Sequence, residues 1–223
     1  MDRLPPTREI NPASMSSADL YLLIRDAVVP RPIAWVSTVD RQGRSNLAPY
    51  SFFNVCSPAD PPVFGFSCGA GGRDARGQPS PKDTLVNIRA NREMVINIVP
   101  ESMMLPMVET SAALPPQESE FDFARLPPAP STKVKPPRVA GAPVAFECVL
   151  HSVIDFGSSS WVMAQLVHVH VDERVYLGKV KDNDHRIDLL RDESMRPVGR
   201  LGRALYSRIR NEETILRRDG PND

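Results

Sequence analysis

The chain has no surplus charge of either sign: 27 Lys and Arg stand against 27 Asp and Glu in 223 residues. Proteins dedicated to nucleic acid carry a basic stripe that neutralises phosphates, so this balance excludes that role. The densest basic cluster, "GRLGRALYSRIRNEETILRR", is interleaved with Glu212 and Glu213 and is expected to be a solvated terminal helix face. Long apolar runs are also missing. No stretch approaches the roughly 18 consecutive apolar residues of a membrane helix, and "MDRLPPTREINPASM" has no apolar core of signal-peptide length. A soluble, cytoplasmic protein without membrane or nucleic-acid partners is the expectation. Cysteine is scarce. Cys56, Cys68 and Cys148 are odd in number and widely spaced, which suits neither a disulfide framework nor a zinc site, so they are expected as small buried hydrophobes. No internal repeat is visible.

Proline is abundant instead: 23 residues, about twice the average usage. Ten of them lie between Pro100 and Pro143, where "ALPPQ", "LPPAP" and "KPPRV" predict an extended excursion with one short helix at "ESMM". Met103, Met104, Leu105, Phe121, Phe123 and Leu126 are interspersed there and need burial, so the excursion should lie over the main core. The length suits one domain spanning residues 1–223, with a core at about 17–206, the excursion at 100–143 and a C-terminal tail at 207–223.

In "SSADLYLLIRDAVV", a serine pair and Asp19 mark a helix start, and Leu20, Leu23, Ile24, Ala27 and Val28 share one face, predicting an amphipathic helix. Strands follow. "IAWVSTV" and "LAPYSFF" flank the turn residues "DRQGR", while "PVFGFSC" and "MVINIVP" are short apolar runs bounded by Pro or Gly. "PVAFECVLHSVIDFG" alternates Val144, Phe146, Cys148, Leu150 and Ile154 against Ala145, Glu147, His151 and Asp155, the period of a half-buried strand. Two further strands surround "VDE" in "SWVMAQLVHVHVDERVYL". Six or seven strands with short connections imply an antiparallel sheet, and closure into a barrel would remove its edges.

One helix start carries chemistry. In "QPSPKDTLVNIRAN", Ser80 is placed as N-cap, Pro81 at the first helical position and Asp83 as the capping-box partner, which puts the helix terminus at Lys82 to Thr84. Unpaired backbone N–H groups, the positive dipole end, an ammonium and a hydroxyl together suit a bound phosphate. A solvated lysine in a first turn is the ordinary alternative.

Taken in order, "RPIAWVSTVDRQGRSNLAPYSFFN", "FGFSC", "PSPKDTLVNIRANREMVINIV", "VAFECVL", "VHVHVD" and "PVGRLGRALYSR" resemble the flavin reductase-like family, in the flavoredoxin-related branch of FMN-binding split barrels. The similarity runs from about Pro30 to Tyr206. It implies a mainly β fold, a six-stranded antiparallel split β-barrel with flanking helices, assembled as a homodimer. It further implies non-covalent FMN and NAD(P)H as co-substrate: an NAD(P)H-dependent flavin (FMN) reductase, with a partner oxygenase or electron-transfer protein receiving the electrons. The alternative is a flavoredoxin-like carrier that keeps its FMN and exchanges electrons with other proteins. A split barrel turned to haem is disfavoured by "NLAPYSFF" and "KDT".

By the same resemblance, Trp35, Ser37, Thr38, Asn46, Leu47, Ala48, Ser51 and Phe52 would line the flavin, because an isoalloxazine needs an apolar slot with hydrogen-bond partners at its polar rim. Ser67, Lys82, Asp83 and Thr84 would take the ribityl and phosphate end. Each has a plainer role open to it: Ser37 and Thr38 as caps of strand backbone, Ser51 in a local turn, Asn46 in a left-handed turn position. No catalytic acid, base or nucleophile is assigned, because hydride passes directly to flavin N5 and the protein supplies alignment. "GAGGRDARGQPSP" lacks phosphate-loop spacing and reads as a flexible connection, and no G-x-G-x-x-G follows a strand. His168 and His170 point to one face of a strand, but no third ligand is near in sequence, so no metal is expected there. Arg203 stands where relatives often carry glycine.

Overall fold

The computed structural model describes residues 5–73, 79–180, 183–211 and 213. After a 3-10 turn at Pro12–Ser14 come α1 (Ser17–Ala27), β1 (Ala34–Val39), β2 (Ser45–Tyr50), β3 (Phe53–Ser57), β4 (Val63–Arg73), β5 (Pro79–Pro81), α2 (Asp83–Asn91) and β6 (Glu93–Ile98). The excursion contributes a 3-10 turn at Glu101–Met103, α3 (Met104–Glu109), α4 (Glu120–Phe123) and the short pair β7 (Pro128–Ala129) and β8 (Arg138–Val139). It is thus more ordered than one helix at "ESMM" implied. Two long strands, β9 (Val144–Phe156) and β10 (Ser159–Val171), precede the hairpins β11 (Tyr176–Val180) with β12 (Asn183–Ile187) and β13 (Val198–Arg200) with β14 (Tyr206–Arg208).

The main sheet is antiparallel, in the order β2-β1-β6-β9-β10-β4-β3, and β5 adds an eighth strand beside β4. Its count therefore exceeds the six expected. β2 and β3 stand at opposite ends of this order, yet only Ser51 and Phe52 separate them in the chain. The three steps from Tyr50 to Phe53 span at most about 11 Å, so the sheet must curl until its ends meet without pairing, which is a split barrel.

Inside the curl lie Val36, Phe66, Met94, Ile96, Cys148 and Val162, all fully buried, and α2 closes one end with Leu85 and Ile88. On the outer face, Trp35 and Leu47 pack with Met107, Phe121, Leu126 and Val139 of the excursion. This second layer is why every residue of β1 is buried rather than alternate ones. The excursion lies over the core as expected, although Leu105 and Phe123 stay exposed.

Several expectations change. Ser16 caps α1, its hydroxyl accepting from the Asp19 N–H at 3.1 Å, but no residue of the helix is buried: Tyr21, Leu23 and Ile24 remain 41–51 % exposed. The periodicity specified a helix with an apolar face, and among the described residues only Phe52, edge-on to Tyr21 at 6.3 Å between centroids, stacks on it. The basic cluster near the C-terminus forms the β13–β14 hairpin instead of a helix, and its residues 212 and 214–218 lie outside the described set. Arg203 adopts a left-handed φ of +55°, the conformation a glycine would take without strain. Cys68 and Cys148 are buried, whereas Cys56 is exposed. Residues 74–78 of the glycine-rich connection lie outside the described set. Among the described residues no helix is long and apolar enough to cross a membrane.

Candidate functional site

The start of α2 borders a cleft of about 360 Å³, within the usual range for small-molecule sites. Asn46, Ala48 and Tyr50 of β2 form its floor, Gly71, Gly72 and residues 80–84 one side, and Thr110, residues 111–114, Pro116 and Glu120 of the excursion the other. The helix begins at Asp83 with Lys82 as N-cap, not Ser80, which sits in β5 paired to β4. That pairing draws Ser80 out of capping reach, and no capping box forms. Lys82 makes no capping hydrogen bond, so the first N–H groups of α2 keep the unpaired character of any helix start. Gly71 permits the close approach here: a Cβ on it would lie 3.1 Å from Lys82 Cα and 3.2 Å from Lys82 N. The Lys82 ammonium stands 5.4 Å from the Tyr50 ring centroid, half-buried at the mouth.

Buried polar groups hold this floor in place. Asn46 Nδ2 donates to Thr84 Oγ1 at 2.9 Å, both residues being buried. Glu120 Oε2 accepts from the Leu47 N–H at 2.9 Å and thereby ties the excursion to β2. Burial pushes the Glu120 carboxyl above its usual range, with the Leu47 N–H opposing and the nearby Asp83 charge reinforcing that rise. Burial likewise raises the Tyr50 phenol well above its ordinary value. The Lys82 ammonium and the start of α2 put positive charge at the mouth of the cleft, with the Asp83 carboxylate beside them.

Of the twelve residues singled out in the sequence, Asn46, Ala48, Lys82, Asp83 and Thr84 meet in this cleft. The others stand elsewhere. Trp35 is on the outer face of β1, its Nε1 donating to Thr110 Oγ1 at 2.9 Å under the excursion. Ser37, on the same face, donates to the Pro137 carbonyl, and Thr38, on the opposite face, accepts from Asn87 Nδ2 of α2. Leu47 is buried with Trp35. Ser51 and Phe52 form the β2–β3 link, where Arg31 Nε donates to Ser51 Oγ at 3.4 Å and the guanidinium lies over the Phe52 ring. Ser67 follows in β4, its N–H donating to the Phe52 carbonyl. Sequence reasoning missed Tyr50, Gly71, Thr110 and Glu120. The last two belong to the excursion, and no local signal ties a proline-rich segment to a helix start some thirty residues earlier.

A second cleft of about 540 Å³ adjoins the first, sharing Asn46, Pro81, Asp83 and Pro116 and rimmed by Arg41, Arg44 and Arg89.

This fold and cleft define a class, and comparison with known proteins gives its family. Residues 25–185 match the flavin reductase like domain, and the chain belongs to that family. Nitrilotriacetate monooxygenase component B from Bacillus cereus superposes with a TM-score of 0.82 at 32 % identity, covering 95 % of this chain and 100 % of that one. The 2-nitrobenzoate 2-nitroreductase NbaA of Pseudomonas fluorescens gives 0.77 and 31 %, covering 94 % and 96 %. A split-barrel protein of Shewanella frigidimarina shares the fold at 0.72 and 22 %, covering 92 % and 94 %.

Proposed function

We propose that this chain is a cytoplasmic, homodimeric FMN reductase that takes hydride from NAD(P)H and passes reduced flavin or its electrons to a partner protein. The observation that carries the reading is the cleft at the start of α2, where a half-buried lysine, unpaired helix N–H groups and the Gly71–Lys82 close approach meet. A phosphate fits such a terminus because partial positive charge, N–H donors and an ammonium converge without a competing carboxylate cap. Lys82 and the α2 terminus would hold the phosphate, with Asp83 beside it. Asn46, Ala48 and Thr84 would take the ribityl and ring side, with the fully buried Trp35, Ser37, Thr38 and Leu47 supporting that floor from behind rather than touching the ligand. Bound FMN would supply the hydride acceptor. This chain's own residues position it, exclude water through the Thr110 to Glu120 wall, and set the charge around it.

The adjoining cleft supports the nicotinamide side of the proposal, since it offers room beside the first and three arginines, Arg41, Arg44 and Arg89, alongside Asp40, Asp83 and Glu118. Likeness to a monooxygenase component supports an oxygenase as recipient. The mostly uncovered apolar face of α1 supports a second copy of the chain as its cover.

The test is an anaerobic titration. The purified protein should hold FMN through gel filtration at twice the 24.7 kDa chain mass. NADH or NADPH should then bleach the flavin, and excess free FMN should be reduced over many turnovers. Bleaching by dithionite or a protein donor alone would instead favour the flavoredoxin-like carrier. A colourless protein that retains no FMN at micromolar concentration refutes both.

A further inference from the structure

We propose that Glu147, His168 and His170 form a binding site for a zinc-type divalent cation on the outer face of the barrel, away from the flavin cleft. The strand register builds it. Along β10, Val162, Ala164 and Leu166 point into the barrel core. Leu166 then pairs with Cys148 and His168 with Glu147, so Val167 is one extra residue, a β-bulge. A bulge reverses which side successive residues face, and this one turns His168 and His170 outward onto the side that Glu147 occupies. There Glu147 is fully buried, because residues 132–134 of the excursion cover it.

The carboxylate is already oriented as a ligand would be. Glu147 Oε1 accepts from the Thr132 N–H at 2.7 Å, and Oε2 accepts from Lys133 and Val134 at 2.6 and 3.1 Å. These N–H donors hold its plane and, together with the hydrogen bond to His170, lower its pKa to about 2 against the opposing effect of burial. They play the part that hydrogen-bond partners play behind metal ligands. His170 Nε2 lies 2.5 Å from Oε1, and the His168 and His170 rings sit edge to face at 4.9 Å between centroids. One ligand atom from each of the three residues falls within 4.8 Å of the others.

Two imidazoles and one carboxylate select a borderline cation such as Zn²⁺ over Mg²⁺ or Ca²⁺, which prefer all-oxygen sets. The ion would take the place of the hydrogen bond between His170 and Glu147. Both imidazoles are only half-buried, leaving a fourth position open to water. A bound ion would join β9, β10 and the excursion at one point.

The experiment uses tag-free full-length protein, equilibrium dialysis against micromolar Zn²⁺ with elemental analysis, and melting curves with and without Zn²⁺. Among the described residues no hydrogen bond holds the His168 side chain, so His168→Ala removes a ligand without orphaning a partner; replacing Glu147 would strand three N–H donors. Wild type should retain one equivalent per chain and melt at a higher temperature with Zn²⁺. His168→Ala should lose about tenfold or more in affinity and the melting shift with it. Cys56→Ser, which removes the exposed thiol, should behave as wild type. No retention by wild type, equal retention by His168→Ala, or loss in Cys56→Ser would overturn the site.

Discussion

Lys82→Ala should weaken FMN binding by roughly 10- to 150-fold while leaving riboflavin binding nearly unchanged, because it removes a charge-assisted hydrogen bond worth about 1.5–3 kcal/mol from the phosphate alone. Parallel titration of both flavins into wild type and variant separates phosphate recognition from general damage, since a distorted cleft weakens the two alike. Thr84→Ala should behave differently. Its hydroxyl is fully buried and accepts from Asn46, so losing it disturbs the floor and weakens both flavins together. Equal losses for FMN and riboflavin in Lys82→Ala, or none, would move the phosphate elsewhere.

Phe121→Ala should lower stability by about 3–5 kcal/mol, the cost of emptying a fully buried aromatic position. For a chain of this length that is a fall of roughly 6–20 °C in melting temperature. Phe121 is 2 % exposed and joins the excursion to Trp35 and Leu47, while its neighbour Glu120 bonds to the Leu47 N–H at the cleft wall. Flavin retention should therefore weaken with stability. Phe123→Ala provides the contrast: at 53 % exposure it should change stability by no more than about 0.5 kcal/mol. Similar melting temperatures for the two variants would show that the excursion is not part of the core.

Much of the fold was legible because short-range periodicity carries it. The strands at Ala34–Val39, Val63–Arg73 and Glu93–Ile98 fall on the apolar runs, and the α2 terminus falls at Lys82 to Thr84, although the cap, the first helical position and the capping box were misassigned. Ser80 resembles an N-cap in every local respect, but hydrogen bonding between β4 and β5 claims it first. Along β9, the alternation from Val144 to Leu150 is correct, then fails at Ile154, which is 46 % exposed. The pairing skips His151, where a bulge changes the facing side. A one-residue irregularity leaves no reliable mark in composition.

The candidate site was half legible. Asn46, Ala48, Lys82, Asp83 and Thr84 belong to two ordered blocks whose chemistry speaks locally, and the fold brings them together. Thr110 and Glu120 could not be found this way, because nothing between them and β2 in the chain indicates that they form a wall.

The sequence by itself determined the antiparallel sheet, the capped α1 helix, the phosphate-suited start of α2 and the family, since each is written in spacings of two to four residues or in ordered blocks. Tertiary structure alone decided what covers each face. It buried both sides of β1, left α1 mostly bare, and turned His168 and His170 onto Glu147 through the Val167 bulge. The reason is physical: side-chain period fixes which residues share a face, whereas the partner of that face comes from strand register and from segments distant in the chain.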